Sequence, residues 1–77
     1  MEQQIKEVMA KVFNQDVNTI SPGSSVETIR KWDSLGHLNL VVQLEKKFNI
    51  KFSDEQIFGM RSFKKVFEAV SSLIVKK

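Results

Sequence analysis

The sequence predicts an all-α fold, a small three- to four-helix bundle with a long loop between helices one and two. Three observations lead there. Apolar residues recur at three- and four-residue intervals in three separate segments, the pattern of helices that turn one face to a core. Residues suited to capping stand at the heads of the later segments. No segment sustains the alternation of a half-buried strand: the nearest, Phe48-Asn49-Ile50-Lys51-Phe52, is short and has no evident pairing partner.

The first helix is expected over Glu2–Phe13, where Ile5, Val8, Met9, Val12 and Phe13 fall on one side. Periodicity then fails over residues 14–32. Asn14, Asn18 and Ser21-Pro22-Gly23-Ser24-Ser25 oppose a continuous helix, and Val17, Ile20, Val26 and Ile29 are expected to pin the connection to the core. Loops of this length in so small a domain are often functional. Asp33-Ser34 opens helix two, which runs to about Phe48. Leu40, Val41, Leu44 and Phe48 form its main apolar stripe. Leu35, Leu38 and Val42 widen that stripe to more than half the circumference, so the Leu35 and Val42 edge is expected to line a cleft or meet another protein. Ser53 followed by Gln56 has capping-box spacing and starts a short helix carrying Ile57 and Phe58, ended by Gly59. Ser62 caps the last helix, with Phe63, Val66, Phe67, Val70, Leu73 and Ile74 inward and Lys76-Lys77 suited to its C-terminus.

With 77 residues there is material for one core, so residues 1–77 are expected to form a single domain. A 42% hydrophobic content excludes disorder as the ground state. No apolar run reaches bilayer length, and Met1-Glu2-Gln3-Gln4 lacks the build of a signal peptide, so a cytoplasmic protein without a membrane span is expected. Without cysteine, thiol chemistry has to come from an attached group. The net charge of +3 raises the question of a nucleic-acid partner, but the lysines and arginines are dispersed among acidic residues and no recognition-helix motif is present. Nucleic-acid binding is therefore not expected.

The segment Trp32-Asp33-Ser34-Leu35-Gly36-His37-Leu38 resembles the attachment motif of acyl and peptidyl carrier proteins, the phosphopantetheine-binding family, in which Asp-Ser-Leu opens the second helix. The resemblance continues through Leu40, Val41, Leu44, Glu45, Phe48, Phe52 and Ser53-Asp54-Glu55 to the capped last helix at Phe63. It implies a free-standing, monomeric, non-catalytic carrier. Ser34 would take a covalent 4'-phosphopantetheine from coenzyme A through a phosphopantetheinyl transferase, whose Mg²⁺ belongs to that enzyme. Asp33 would help the transferase bind its metal and orient the serine, and Leu35 would anchor the carrier on its partners. The arm's thiol would hold acyl or aminoacyl groups as thioesters for acyl-activating, acyl-transferring or synthase enzymes.

The residues themselves fit this chemistry, because a helix N-terminus with free N–H groups and a positive dipole end favours a phosphodiester. Asp-Ser taken alone is also an ordinary helix cap. An unmodified carrier-like interaction module keeps the same fold but has no need of a hydroxyl at position 34. His37, three residues on, lacks the third carboxylate and oxyanion loop of a hydrolase, and is expected to pack against the long loop. Trp32 is expected to cover the base of helix two. The face expected to meet partners comprises Leu35, Gly36, Asn39, Val42, Glu45 and Lys46, and it departs from the acidic habit of fatty-acid carriers: Glu45 is the lone carboxylate between Ser34 and Phe48. A specialised pathway and a partner with a neutral or acidic docking surface are expected. Six phenylalanines, Phe13, Phe48, Phe52, Phe58, Phe63 and Phe67, are expected in the core, leaving little room to sequester a long acyl chain.

Overall fold

Each turn of α1 (Glu2–Phe13) sends one large apolar side chain inward, and Ile5, Met9 and Phe13 are fully buried in the computed structural model, which describes residues 2–75. After α1 come a single 3-10 turn at Val17–Thr19, then α2 (Ser34–Phe48), α3 (Asp54–Gly59) and α4 (Phe63–Val75). Helix α1 packs along α2, and α4 closes the other side. The shared core is Ile5, Met9, Phe13, Leu40, Leu44, Phe52, Met60, Phe63, Val66 and Val70, joined by Ile20, Ile29 and Trp32 from the loop. The expected helix boundaries agree with these elements.

Local chemistry sets the ends. Asn14 and Asn49 both take left-handed backbone with φ of 54°, which stops α1 and α2. The next residues reach back over five positions, Gln15 N–H to the Ala10 carbonyl at 2.9 Å and Ile50 N–H to the Glu45 carbonyl at 3.2 Å, satisfying carbonyls the helix leaves free. Both bonds of the capping box form at α3: Ser53 Oγ accepts from Gln56 N–H, and Gln56 Oε1 accepts from Ser53 N–H. Ser62 Oγ accepts from Lys65 N–H at the start of α4. The expected C-terminal role of Lys76-Lys77 falls outside the described residues.

The long loop is held by more than its apolar residues. Val26 N–H donates to the Arg61 carbonyl at 3.0 Å and Phe63 N–H to the Ser24 carbonyl at 2.8 Å, an antiparallel bridge between Ser25 and Ser62. Ile20 and Ile29 are buried, whereas Val17 and Val26 are half-buried. Ser24 is also buried, and its Oγ accepts from Ser21 N–H, so it brings no unpaired hydroxyl into the core.

One phenylalanine corrects the expected core. Phe58 is 79% exposed, while Phe13, Phe52 and Phe63 are buried and Phe48 and Phe67 pack half-buried against them. Consecutive helical residues point about 100° apart, so with Ile57 turned inward Phe58 turns out.

Candidate functional site

Ser34 is the first residue of α2 and is exposed. Asp33 caps the helix from an extended conformation, its Oδ1 accepting from Gly36 N–H at 2.8 Å. That bond uses one of the four N–H groups free at a helix start, while the N–H groups of Ser34 and Leu35 have no acceptor within the helix. The result is a hydroxyl presented beside free amides at the positive end of a 15-residue helix, with Arg30 and Lys31 exposed just before it. These features fit a phosphodiester on Ser34, which would need a solvent-accessible oxygen and a positive local field. Asp33 opposes the anion by its charge, so its contribution at this point is the cap.

Gly36 has a physical necessity that the sequence did not reveal. A Cβ built there would be driven into the Lys31 carbonyl oxygen, far inside contact distance, and would crowd Asp33 Oδ1 at 3.3 Å. The end of the loop therefore lies against the first turn of α2 at a separation only glycine permits. Part of Gly36's value, assigned from sequence to partner contact, is thus internal.

His37 joins three segments. The Trp32 indole N–H donates to His37 Nδ1 at 2.9 Å, and His37 Nε2 lies 2.6 Å from the Ile57 carbonyl oxygen on α3. Trp32 is buried and stacks on Phe13 of α1 at 5.2 Å between centroids. Sequence reasoning placed both side chains against the loop and the base of α2; the Ile57 carbonyl was not foreseen, since a backbone acceptor twenty residues away leaves no local signal.

Around the rest of α2 the expected partner face divides. Leu35 is 69% exposed, Leu38 57% and Val42 45%, with Asn39 and Lys46 also exposed. Glu45 is half-buried and its Oε2 accepts from Phe52 N–H at 3.0 Å, tying α2 to the segment before α3. Asn39, Gln43, Lys46 and Lys47 line an open groove of about 990 Å³ shared with Glu7, Lys11 and other α1 residues. Among the described residues no cluster of histidine, cysteine or carboxylates is arranged to hold a metal ion, and no helix is long and apolar enough to cross a membrane.

A family model described as a phosphopantetheine attachment site matches residues 3–70. The chain is 31% identical over 74 residues to an acyl carrier protein homolog of Mycoplasma genitalium, spanning 95% of this chain and 87% of that one. It is also similar to the solution NMR structure of the holo acyl carrier protein from Geobacter metallireducens, with a TM-score of 0.87 and 25% identity over 97% of this chain and 86% of that one.

Replacing Gly36 with alanine separates the two influences on this position. In an exposed helix interior the change gains up to about 1 kcal/mol. Here it is expected to destabilise, with a lower urea midpoint and displaced amide resonances over residues 29–33; an unchanged or raised midpoint refutes the close approach.

Proposed function

The chain belongs to the phosphopantetheine-binding acyl carrier family, and on that premise we propose that Ser34 is the residue that takes the arm. Members of this family are carriers and not catalysts, substrates of pantetheinylation that deliver acyl groups to other enzymes. One observation supports Ser34 above the other serines: it alone pairs an exposed hydroxyl with the first turn of a long helix inside the motif-bearing segment. In the transfer, Ser34 Oγ would lose its proton to the transferase and gain a bond to the pantetheine-side phosphorus of coenzyme A as the pyrophosphate P–O bond breaks and adenosine 3',5'-bisphosphate departs. Once attached, the arm supplies a thiol that holds acyl groups as thioesters.

The remaining residues act on binding and orientation. Asp33 fixes the first turn, and its exposed carboxylate beside the serine would help the transferase hold its metal. Leu35, with Leu38 and Val42, offers an apolar strip beside the serine for partner enzymes. Gly36 keeps that strip close to the loop. Asn39 and Lys46 flank it, and Glu45 is in part diverted inward by its bond to Phe52 N–H. An outer α2 face that is apolar, amide and lysine in character suits partners with neutral or acidic docking surfaces, and hence a specialised route over housekeeping fatty-acid synthesis. The reading further places a single monomeric domain in the cytoplasm, with no nucleic-acid partner.

Cargo follows from the interior. Phe13, Trp32, Leu40, Leu44, Phe52, Met60 and Phe63 fill the space among the helices, and all seven are buried. Displacing rings packed at crystal-like density is costly, which favours short, polar or aminoacyl groups that stay outside.

Three outcomes test these statements. Incubation with coenzyme A, Mg²⁺ and a promiscuous transferase is expected to add one phosphopantetheine mass to the parent and none to Ser34→Ala; addition to the variant places the arm elsewhere. With a general malonyl transferase, the loaded protein is expected to turn over roughly tenfold or more slowly than an ordinary acidic carrier, the range over which charge changes association rates, and equal rates remove the charge inference. Thermal melts of arm-loaded forms are expected to show no greater stability for a long-chain acyl group than for an acetyl group. A large stabilisation by the long chain means that it enters the core.

A further inference from the structure

The open groove of about 990 Å³ between α1 and α2 takes no part in attaching an arm to Ser34. The two helices run antiparallel, since Phe13 at the end of α1 stacks on Trp32 just before α2 begins. Gln4, Glu7, Val8 and Lys11 form one wall at helical spacing, and Asn39, Gln43 and Lys46 form the other. Each wall is two turns long, about 10 Å at the helical rise. Val8, Ala10 and Val12 lean on the core but are only half-buried, so they still show apolar surface to the groove. Half-buried Val17 of the 3-10 turn adds to that surface.

The charge is one-sided. Lys11, Lys46 and Lys47 line the groove with Glu7 as the only carboxylate among the lining residues, and all four side chains are exposed. Among the described residues none of the four is in an ion pair; the pairs that form are Lys6 with Glu2 and Lys65 with Glu68. Antiparallel packing puts Lys46 and Lys47 toward the start of α1, and Lys11 toward the start of α2. Cations therefore stand at both ends of the groove, with apolar surface between them.

We propose that this groove docks an acidic amphipathic helix of a partner protein, its apolar side chains seated on Val8, Val12 and Val17 and its carboxylates reaching Lys11 at one end and Lys46 with Lys47 at the other. Such docking takes its sign of charge from the reading of the α2 exterior as a surface for neutral or acidic partners, and it is independent of which residue takes the arm. Both walls are helices whose backbone groups are already paired, so an extended strand would find no ladder to join. A helix satisfies its own backbone and needs only side-chain contacts. Nucleic acid and anionic lipid would meet the same lysines, but a phosphate backbone brings no apolar group to cover the valines, and a bilayer surface does not enter a groove between two helices. Gln4, Asn39 and Gln43 add amides that can bond to polar side chains along the edges of the docked helix.

The test titrates the full chain, without its arm, with a synthetic peptide of about 14 residues that carries Leu at helical spacing on one face and Glu beside it. The control peptide has Gln in place of every Glu. Amide resonances are expected to shift over residues 4–17 and 39–47, the span of the groove. The Glu peptide is expected to bind roughly tenfold more tightly than the Gln peptide, the combined effect of about three exposed ion pairs. Raising salt from about 0.05 M to about 0.5 M should remove most of that difference. Replacing Lys11, Lys46 and Lys47 together by Gln, at positions exposed enough to leave the fold intact, is expected to abolish the preference for Glu. Lys64→Gln with Lys65→Gln, on α4 and outside the groove, should keep it. Val8→Thr is expected to weaken both peptides about fourfold, as loss of one buried apolar carbon does.

Equal affinity for the two peptides, shifts centred on Leu35, Leu38 and Val42, or a preference that survives loss of the three lysines would each overturn the proposal. A DNA duplex or phosphatidylglycerol vesicles that shift the groove amides as strongly as the Glu peptide would also overturn it, in favour of a general polyanion site. Attachment of the arm is read separately, by mass, so failure of the groove and failure of Ser34 are told apart. Slow malonyl transfer without a preference for the Glu peptide fails the groove alone, and fast transfer with the preference intact fails the pathway reading alone.

Discussion

The close approach of the Lys31 carbonyl to the backbone of Gly36 is the constraint on which the rest of the molecule hangs. A loop of residues 14–32 has many ways to return to a bundle, and most leave the next helix start free to wander. Packing the loop end into the space where a side chain would begin removes that freedom. Asp33 then sits where its carboxylate reaches Gly36 N–H, and Ser34 follows as the first helical residue. Trp32 is carried inward at the same point and becomes a wall of the core against Phe13. The loop is restrained at its far side by the bridge between Ser25 and Ser62, so its two halves are anchored to different helices.

Helix α2 divides its circumference between two tasks. Leu40, Val41 and Leu44 are buried and hold the helix to α1 and α4, while Leu35, Leu38 and Val42 remain in solvent. Leaving three large apolar side chains exposed on one helix forgoes a few kcal/mol of burial, at about 1.5–3 kcal/mol for each side chain fully removed from water. In a chain this small that is a sizeable fraction of total stability, about 4–12 kcal/mol at the usual amount per residue. Such an arrangement is consistent with a face covered by successive partners, each bound briefly through a small contact. The charges modify that contact. Because Glu45 is tied to Phe52 N–H, the face lacks a freely disposed carboxylate of its own, and the lysines at the C-terminal end of α2 give it a positive sign.

Helix positions were legible because they rest on short-range patterns. Apolar spacing located α1, α2 and α4, and Ser53 with Gln56 located α3, since a capping box is written within four residues. The start of α2 was legible through the same locality: Asp33, Ser34 and the turn they start are contiguous. What escaped was written across distance. Nothing near Glu45 announces an acceptor for Phe52 N–H, and nothing near His37 announces the Ile57 carbonyl. Phe58 failed for a related reason, because its exposure follows from which side of α3 meets the core, and apolar character alone does not carry that information. Gly36 looked like a surface choice, whereas the reason for it lies in a carbonyl on the preceding loop.

A carrier has to reconcile a mobile arm with an immobile root. Tethering raises the local concentration of cargo only while the arm's reach matches the distance to each partner's site, and uncertainty in the position of the anchor spreads that reach. Fixing the root by hydrophobic packing alone would bury the hydroxyl, and fixing it by charge would compete with the incoming phosphate. The chain avoids both by restraining the residues on either side of Ser34: Trp32 below by stacking, Gly36 above by close approach, His37 one turn on by hydrogen bonds. The Ser34 hydroxyl has no hydrogen-bond partner to give up among the described residues, so a modification at its oxygen would break no native hydrogen bond. Rigidity is therefore supplied by neighbours whose hydrogen bonds and packing do not involve the Ser34 hydroxyl.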